Sequence, residues 1–457
     1  MDFITANLGI LMFFVLAALF FSGFPVGFVL GGVSIIFGLI GWSLGLFLPL
    51  EFFNFLFRIW GGAADNMVLI AAPLFIFMGI VLEKSNIAAD LLRCLQILLR
   101  RVPGGLALGV AIMGTIMAAT TGIIGASVVM LSMLALPAML RQNYDKGLST
   151  GIVAASGTLG ILIPPSIMLV IMGDMLQLST GKLFLGAVLP GLLLSAAYVA
   201  YIILLAWLKP HLAPPITSAE DIKADESLTK LVLKAFVPPT VLIVLVLGSI
   251  FFGWATPTEA AGIGSAGAIL LAIFTGRFNL ELVNESIRTS AHTIGMVFLI
   301  IISAACFSYV FRSLGGDDVI HGMLDASGLG PWGILLLLML GVFLMGFFFD
   351  WLEIILIVLP IFAPVIAELD FSGHVPSSIE VVYWFAILIA VNLQTSFLTP
   401  PFGFALFFVK GSAPPSVKMN DIYKGIIPFV LLQLFVLFIT AAYPDLALWL
   451  PRKLLGD

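Results

Sequence analysis

Two proline pairs interrupt long apolar stretches of the sequence, Pro164–Pro165 and Pro400–Pro401. Glycine, serine and threonine residues surround each pair. A proline removes one amide donor from a helix and displaces the carbonyl group four residues earlier, which leaves carbonyl oxygens free. Free carbonyl and hydroxyl oxygens suit a small, hard cation. A plain proline kink accounts for a single pair without any ligand, but two pairs at matching positions, each preceded by polar residues, favour a binding function.

Asp350 is the most informative single residue, because its carboxylate lies between Phe349 and Trp351 in an apolar stretch. Such a group costs several kcal/mol in a membrane unless it is paired or binds an ion, which favours a functional role. Glu353 follows one helical turn later, so it either shares that face or satisfies a backbone group. Asp174 follows the first proline pair by nine residues, and we expect it near the periplasmic interface.

The composition indicates which elements hold these residues. Hydrophobic residues make up 61% of the 457 residues and charged residues only 10%, whereas soluble domains carry about 25% charged residues. The mean hydropathy is +1.19. Because about 20 apolar residues span a bilayer, the chain is long enough for on the order of ten transmembrane helices. We therefore predict an all-α, polytopic protein embedded in a lipid bilayer, and the charge pattern does not support binding to nucleic acid.

Three landmarks recur in the same order in the two halves of the chain. Pro25 and Pro257 lie 232 residues apart, the two proline pairs 236 residues apart, and Pro190 and Pro428 238 residues apart. Three matches at nearly one offset indicate a duplication. The predicted units are a first repeat at 1–210, a cytoplasmic linker at 211–234 and a second repeat at 235–457. Each repeat has a hairpin, at about 106–140 and 332–366, and a broken helix, at about 151–175 and 381–409.

The charged residues beside the two hairpins differ in sign. Arg100, Arg101, Arg141 and Lys146 flank the first hairpin, and basic residues in short loops favour the cytoplasm. Acidic residues flank the second, and no lysine or arginine occurs between 313 and 409. A stretch with both ends on one side either crosses the membrane twice or is re-entrant. The two halves then enter from opposite faces, which predicts inverted repeats with re-entrant hairpins.

Five motifs are spread over nearly the whole chain: Pro73–Gly79, Pro103–Gly105, Gly157–Ser166, Ala255–Ala261 and Leu398–Gly403. Together they resemble the large (M) subunit of tripartite ATP-independent periplasmic (TRAP) transporters, the DctM-like proteins. The resemblance implies an elevator-type transporter in the bacterial inner membrane, not an enzyme, that imports an organic anion such as a C4-dicarboxylate or a related carboxylate. It also implies a small membrane subunit (Q), a periplasmic substrate-binding protein (P) and sodium as the coupling ion, with no other cofactor.

The resemblance and the repeat also suggest particular site residues. A first sodium site would use the first hairpin tip and the first break, and a second would use the second hairpin tip and the second break. The candidate sodium ligands are Thr121, Gly160, Ile163 and Pro165 for the first site, and Asp350, Ser396, Thr399 and Pro401 for the second. The candidate substrate contacts are Thr120, Gly122, Ser127, Thr158, Asn392 and Thr395.

One segment departs from the family pattern. The first hairpin tip reads Thr121-Gly-Ile-Ile124, where the family often has Ser-Gly-Ser-Ser. Two hydroxyl groups are therefore absent from the usual substrate contacts. We expect a cation site to persist, because backbone oxygens dominate it, and we expect altered or bulkier apolar substrates.

Two other functional classes compete with this interpretation. Gly173-Asp174 is typical of intramembrane aspartyl proteases, but the second catalytic span that such an enzyme requires is missing. A passive anion channel would also use broken helices. A channel cannot accumulate its substrate against a gradient, so that measurement separates it from a transporter.

Overall fold

The structure is a computed structural model that describes residues 7–122, 124–215, 232–401 and 403–456, without the side chains of 119–121, 234 and 325. Within these ranges it contains helices and no strands. Eight of the described helices are long and apolar enough to cross a membrane, or nine if the bent pair Pro49–Ala64 and Val68–Lys84 counts as one span. The prediction of an all-α, polytopic membrane protein is confirmed.

In the described part of the first half, five α-helices precede the first predicted hairpin. Pro25 precedes the second of them. The third and fourth belong to the two arms of the bent pair, and the chain bends by 54° between these arms. These helices are α1 (Leu8–Phe20), α2 (Val26–Ser43), α3 (Asn54–Ile59), α4 (Ala71–Lys84) and α5 (Ile87–Leu98).

A helical hairpin, an interrupted helix and a long helix complete the first half. The interruption covers 159–166 and contains a single 3-10 turn. Ser166 caps the helix that follows, since its hydroxyl accepts a hydrogen bond from the Leu169 amide at 3.4 Å. The helices are α6 (Gly105–Thr121), α7 (Ile124–Arg141), α8 (Lys146–Thr158), α9 (Ile167–Met175) and α10 (Thr180–Leu208).

The second half repeats this order of hairpin, interrupted helix and long helix. Of the predicted linker, 216–231 lies outside the described residues. The helices are α11 (Val237–Phe251), α12 (Pro257–Phe274), α13 (Leu280–Ser313), α14 (Gly316–Ala326), α15 (Pro331–Met345), α16 (Trp351–Glu368), α17 (Ser378–Ser396), α18 (Phe404–Ser412), α19 (Met419–Ala442) and α20 (Asp445–Leu455). The duplication and the opposite orientation of the two halves stay predictions.

Glycines bring the two halves into backbone contact. A Cβ atom added to Gly425 on α19 would lie 1.9 Å from the Gly147 carbonyl oxygen on α8, and one added to Gly151 would lie 2.2 Å from the Gly425 carbonyl oxygen. Small residues four positions apart allow membrane helices to approach this closely. The first interrupted helix is therefore held directly against the long helix of the second half.

Large apolar side chains cover much of the outer surface. Phe14, Phe28, Leu245 and Phe438 are 65%, 66%, 61% and 69% exposed. A soluble protein rarely exposes such side chains in continuous patches. Their exposure suits contact with lipid or with another membrane subunit.

Candidate functional site

The two interrupted helices meet through a pair of buried polar side chains. Gln394 on α17 donates a hydrogen bond from Nε2 to the Thr158 hydroxyl oxygen, at 3.4 Å, just before the first break. The Thr158 hydroxyl in turn donates to the Ala155 carbonyl oxygen at 3.0 Å. Both side chains are fully buried. We call Thr158 and Gln394 the polar junction.

The polar junction includes an oxygen without a donor. Among the described residues, Gln394 Oε1 is buried and accepts no hydrogen bond, and the same holds for the Ser156 hydroxyl one half-turn before Thr158. A buried polar atom without a partner costs about 1–3 kcal/mol. In a folded protein, such an atom usually binds a water molecule or an ion, or it has a functional role.

The first hairpin packs on the first interrupted helix through small residues. A Cβ atom on Gly157 would lie 2.5 Å from Val128 of α7, and one on Gly114 of α6 would lie 2.4 Å from Cβ of Ser156. The hairpin tip has Gly122 at φ +59°, and a Cβ atom there would lie 2.8 Å from Ile167, the first residue of α9. The tip therefore lies directly beside the end of the first break.

The second hairpin packs on the second interrupted helix in a similar way. A Cβ atom on Gly346 at its tip would lie 1.9 Å from the Ser396 hydroxyl oxygen. Further along, Asn392 Nδ2 donates a hydrogen bond to the Met339 carbonyl oxygen at 2.6 Å. Asp350 caps α16, because its Oδ1 accepts a hydrogen bond from the Trp351 amide at 2.8 Å.

The candidate ligands of the first sodium site lie in one segment of the chain. Gly160, Ile163 and Pro165 are all buried within the first break. The Ile163 amide donates to the Leu159 carbonyl oxygen at 2.9 Å, which closes one helical turn at the start of the break. The side chain of Thr121 lies outside the described residues.

The candidate ligands of the second sodium site divide between the second break and the hairpin. The Ser396 hydroxyl donates to the Leu393 carbonyl oxygen at 2.8 Å, and the Thr399 hydroxyl donates to the Thr395 carbonyl oxygen at 2.8 Å. The Pro401 carbonyl oxygen accepts a hydrogen bond from Tyr423 at 2.9 Å. Asp350 lies apart from them in the chain, four residues after the Gly346 that contacts Ser396.

The candidate substrate contacts fall on several surfaces. Gly122 forms the first hairpin tip, and Ser127 is buried on α7. Asn392 and Thr395 use their side chains on backbone carbonyl groups, those of Met339 and Val391. Thr158 belongs to the polar junction, and the side chain of Thr120 lies outside the described residues.

Two other acidic residues have defined surroundings. Asp174 is buried and accepts a hydrogen bond from Asn66 at 2.6 Å, which ties α9 to the bend before α4. Glu353 is 7% exposed and borders a small apolar cavity of about 80 Å³ formed with Phe13 and Phe20 of α1. Within the described residues, its Oε2 atom accepts no hydrogen bond.

Gln394 is the site residue that our sequence interpretation missed. It lies two residues after Asn392, and residues two apart on a helix do not share a face. The structure accordingly turns Asn392 toward α15 and Gln394 toward α8. An amide within an apolar span was the available signal, but its partner lies 236 residues away in the sequence.

An all-helical, multi-pass protein with buried polar breaks beside two helical hairpins has the organisation of a membrane transporter. Comparison with known families agrees with this class. Residues 13–446 match the family described as the DctM component of the tripartite ATP-independent periplasmic transporter. The chain belongs to this family of TRAP transporter large permeases.

Individual relatives support the same assignment. The chain is 30% identical over 394 residues to the C4-dicarboxylate TRAP transporter large permease protein DctM of Pseudomonas aeruginosa, covering 86% of this chain and 88% of that protein. It is 28% identical to the sialic acid TRAP transporter large permease protein SiaM of Vibrio cholerae, covering 96% and 97%. Among solved structures, the fold resembles the YdaH transporter of Alcanivorax borkumensis, with a TM-score of 0.60, 13% identity and 90% of each chain covered.

Family membership confirms several predictions made from the sequence. The chain is a transporter subunit and not an enzyme, and it is a multi-pass protein of the bacterial inner membrane. The family implies substrate uptake together with a periplasmic binding protein and a small membrane subunit.

Proposed function

We propose that this chain is the permease of a sodium-coupled uptake system for an organic anion. A periplasmic binding protein delivers the anion, a small membrane subunit completes the permease, and the hairpins and interrupted helices carry the anion across by an elevator movement. The coupling sodium ions bind at the two breaks, with the ligands named above. The anion binds beside them, between the hairpin tips.

The observation that carries this proposal is the polar junction. It joins the ends of two interrupted helices, and no donor among the described residues reaches the buried Gln394 Oε1 atom. Carbonyl, hydroxyl and amide oxygens are the ligands that hard cations take from proteins. Interrupted helices supply such oxygens from the unwound backbone, and their helix termini favour anions nearby. A cation and an anionic substrate can therefore occupy neighbouring positions.

The substrate class rests on the relatives and on the hairpin tip. The two relatives named above are permeases for C4-dicarboxylates and for sialic acid, and both compounds are carboxylates. The first tip has isoleucines at 123 and 124, so it offers apolar surface in place of two hydroxyl groups. We propose a carboxylate with a larger apolar part than a C4-dicarboxylate.

Replacing Gln394 by leucine tests the polar junction. Leucine keeps most of the buried volume and removes the amide, so we expect a folded permease whose sodium concentration for half-maximal uptake rises about tenfold. Gln433 provides a matched control, because it is also fully buried and also has an Oε1 atom without a donor within the described residues. It contacts Tyr198 instead of a break. If Gln433→Leu raises the sodium concentration for half-maximal uptake equally, the polar junction is not part of the sodium site.

Asp350→Asn tests the second sodium site. Asparagine caps helices as well as aspartate does, so the substitution keeps the bond to the Trp351 amide and removes only the charge. We expect sodium activation to weaken by about tenfold, since affinity for hard cations follows the number of charged ligands. Asp145→Asn is the control, because Asp145 caps α8 through the Leu148 amide at 2.9 Å. Unchanged sodium activation in Asp350→Asn would exclude this carboxylate as a ligand.

A further inference from the structure

A second feature of the structure is suited to anions and lies outside the site described above. A cavity of about 730 Å³ lies between α3 and α13 on one side and α16 on the other. Its volume is within the range of small-molecule sites, about 300–1,000 Å³. Most of its wall is apolar. The charged residues that line it, among those described, are Arg58 on α3 and Arg312 on α13.

Arg58 lies over the ring of Tyr309, which lines the same cavity as Arg312. The Arg58 guanidinium carbon lies 5.4 Å from the centre of the Tyr309 ring, and Arg312 follows Tyr309 by one helical turn. In the described part of the chain Arg58 forms no ion pair. Two carboxylates lie nearby but do not line the cavity. Asp317 is 3.4 Å from Arg312 Nε, and Glu51 accepts a hydrogen bond from the Tyr309 hydroxyl at 3.1 Å.

Arg312 also connects α13 to the second hairpin. Its Nη2 donates a hydrogen bond to the Pro360 carbonyl oxygen of α16. In a regular helix that oxygen would accept from the amide four residues later, but residue 364 is a proline and has no amide hydrogen. The guanidinium therefore satisfies a carbonyl group that the hairpin helix cannot satisfy itself.

The cavity lies at the end of α13 from which we expect the substrate to arrive. Lys84 and Arg277 form ion pairs with Glu285 and Asp90 near the start of α13, and basic residues of this kind mark the cytoplasmic side. The helix has 34 residues, which is about 50 Å at 1.5 Å per residue. Arg312 at its other end is thus placed toward the periplasm.

We infer that this cavity is a binding site for an organic carboxylate, held by Arg58 and Arg312, in which the carboxylate competes with the Pro360 carbonyl for the Arg312 guanidinium. Guanidinium groups bind carboxylates through paired, charge-assisted hydrogen bonds, which are stronger than a bond to a neutral carbonyl. Binding there frees the hairpin from α13. The inference rests on the proposed function in treating this carboxylate as the transported substrate.

Charge-selective labelling of a cysteine in the cavity tests its potential without any knowledge of the substrate. The chain has two cysteines, Cys94 and Cys306, so Ser308→Cys is introduced into a full-length permease that carries C94A and C306A. We compare its reaction rates with an anionic and a cationic methanethiosulfonate reagent. We expect a preference for the anionic reagent that falls about tenfold in Arg58→Gln and in Arg312→Gln and persists in Arg312→Lys. If the ratio of the anionic to the cationic labelling rate is unchanged by both glutamine replacements, the inference is overturned.

Protection from the same labelling tests binding. Succinate and N-acetylneuraminate are the probes, and succinamide is the neutral control. We expect at least one of the two carboxylates to slow labelling at least fivefold, and we expect that protection to disappear when both arginines are replaced by glutamine. No protection at 100 mM by either carboxylate, equal protection by succinamide, or protection that survives the double replacement would each overturn the inference.

Pro364→Ala tests the competition for Arg312. Alanine restores an amide at 364, so the Pro360 carbonyl gains a donor within α16 and Arg312 is released. We expect the protecting carboxylate to act at a severalfold lower concentration, and an unchanged concentration would refute the competition. Uptake that does not depend on sodium, with protection intact, would refute the proposed coupling and leave this site standing. If neither carboxylate protects the permease with both arginines in place, while its uptake is still coupled to sodium, this site alone is refuted.

Discussion

Gly425→Ala is expected to lower the stability of the permease by about 2–3 kcal/mol, the upper part of the range for overpacking a close interface. The added methyl group would lie 1.9 Å from the Gly147 carbonyl oxygen and 2.5 Å from its carbon. These are backbone atoms, so α8 and α19 must separate. Thermal unfolding of the purified permease, followed by the loss of monomeric protein, measures the effect.

Gly411→Ala is the control for Gly425→Ala. Gly411 is also helical, on α18, and an added Cβ atom there would meet no atom of the described residues within 4 Å. Alanine favours a helix over glycine by about 1 kcal/mol, so this variant should be at least as stable as the parent. Equal stability of the two variants would show that the contact between α8 and α19 does not hold the halves together.

Gly346→Ala is expected to reduce the initial rate of uptake at least tenfold, with a smaller effect on stability. The methyl group would overlap the Ser396 hydroxyl and lie 2.6 Å from the Ser396 Cβ atom. The second hairpin tip would then be displaced from the second break, where we propose a sodium site. A displacement of about 1 Å at a binding site is enough to cost two orders of magnitude in rate. The initial rate of uptake is measured as a function of sodium concentration.

Gly341→Ala is the control for Gly346→Ala. Gly341 lies five residues earlier, on the helix that leads to this tip, and within the described part of the structure a Cβ atom there would meet no atom within 4 Å. It should transport at the parent rate. If both variants transport alike, the approach of the tip to Ser396 does not contribute to the site.

The local elements of both halves could be predicted from the sequence. The helices α6–α7 and α15–α16 occupy the stretches for which hairpins were predicted, about 106–140 and 332–366, because apolar runs end at glycine, proline and charged residues. That these stretches are re-entrant hairpins stays a prediction. The proline pairs fixed the position of each break. These features depend on neighbours in the chain, which hydropathy and proline spacing report directly.

The contacts between elements could not be predicted in the same way. Gln394 and Thr158 meet across 236 residues, and a single sequence contains no signal for that pairing. Glu353 was predicted either to share a face with Asp350 or to satisfy a backbone group. Its carboxylate forms hydrogen bonds to the backbone at Glu353 and Asp350, as the second alternative predicts, whereas the apolar cavity that it borders with α1 could not be predicted. Pro364 leaves the Pro360 carbonyl group without a donor within α16, but Arg312 reaches that group only because α16 packs on α13.

Sodium-driven accumulation of the ligand tests whether this permease couples uptake to sodium. The permease is reconstituted into proteoliposomes with its small membrane subunit, and its binding protein is added with the ligand that it retains from the periplasm. Uptake is compared with an inward sodium gradient, with equal sodium on both sides, and with potassium in place of sodium. We predict an internal ligand concentration above the external one only with the inward gradient. Equal uptake under all three conditions, or equilibration without accumulation, would contradict this prediction.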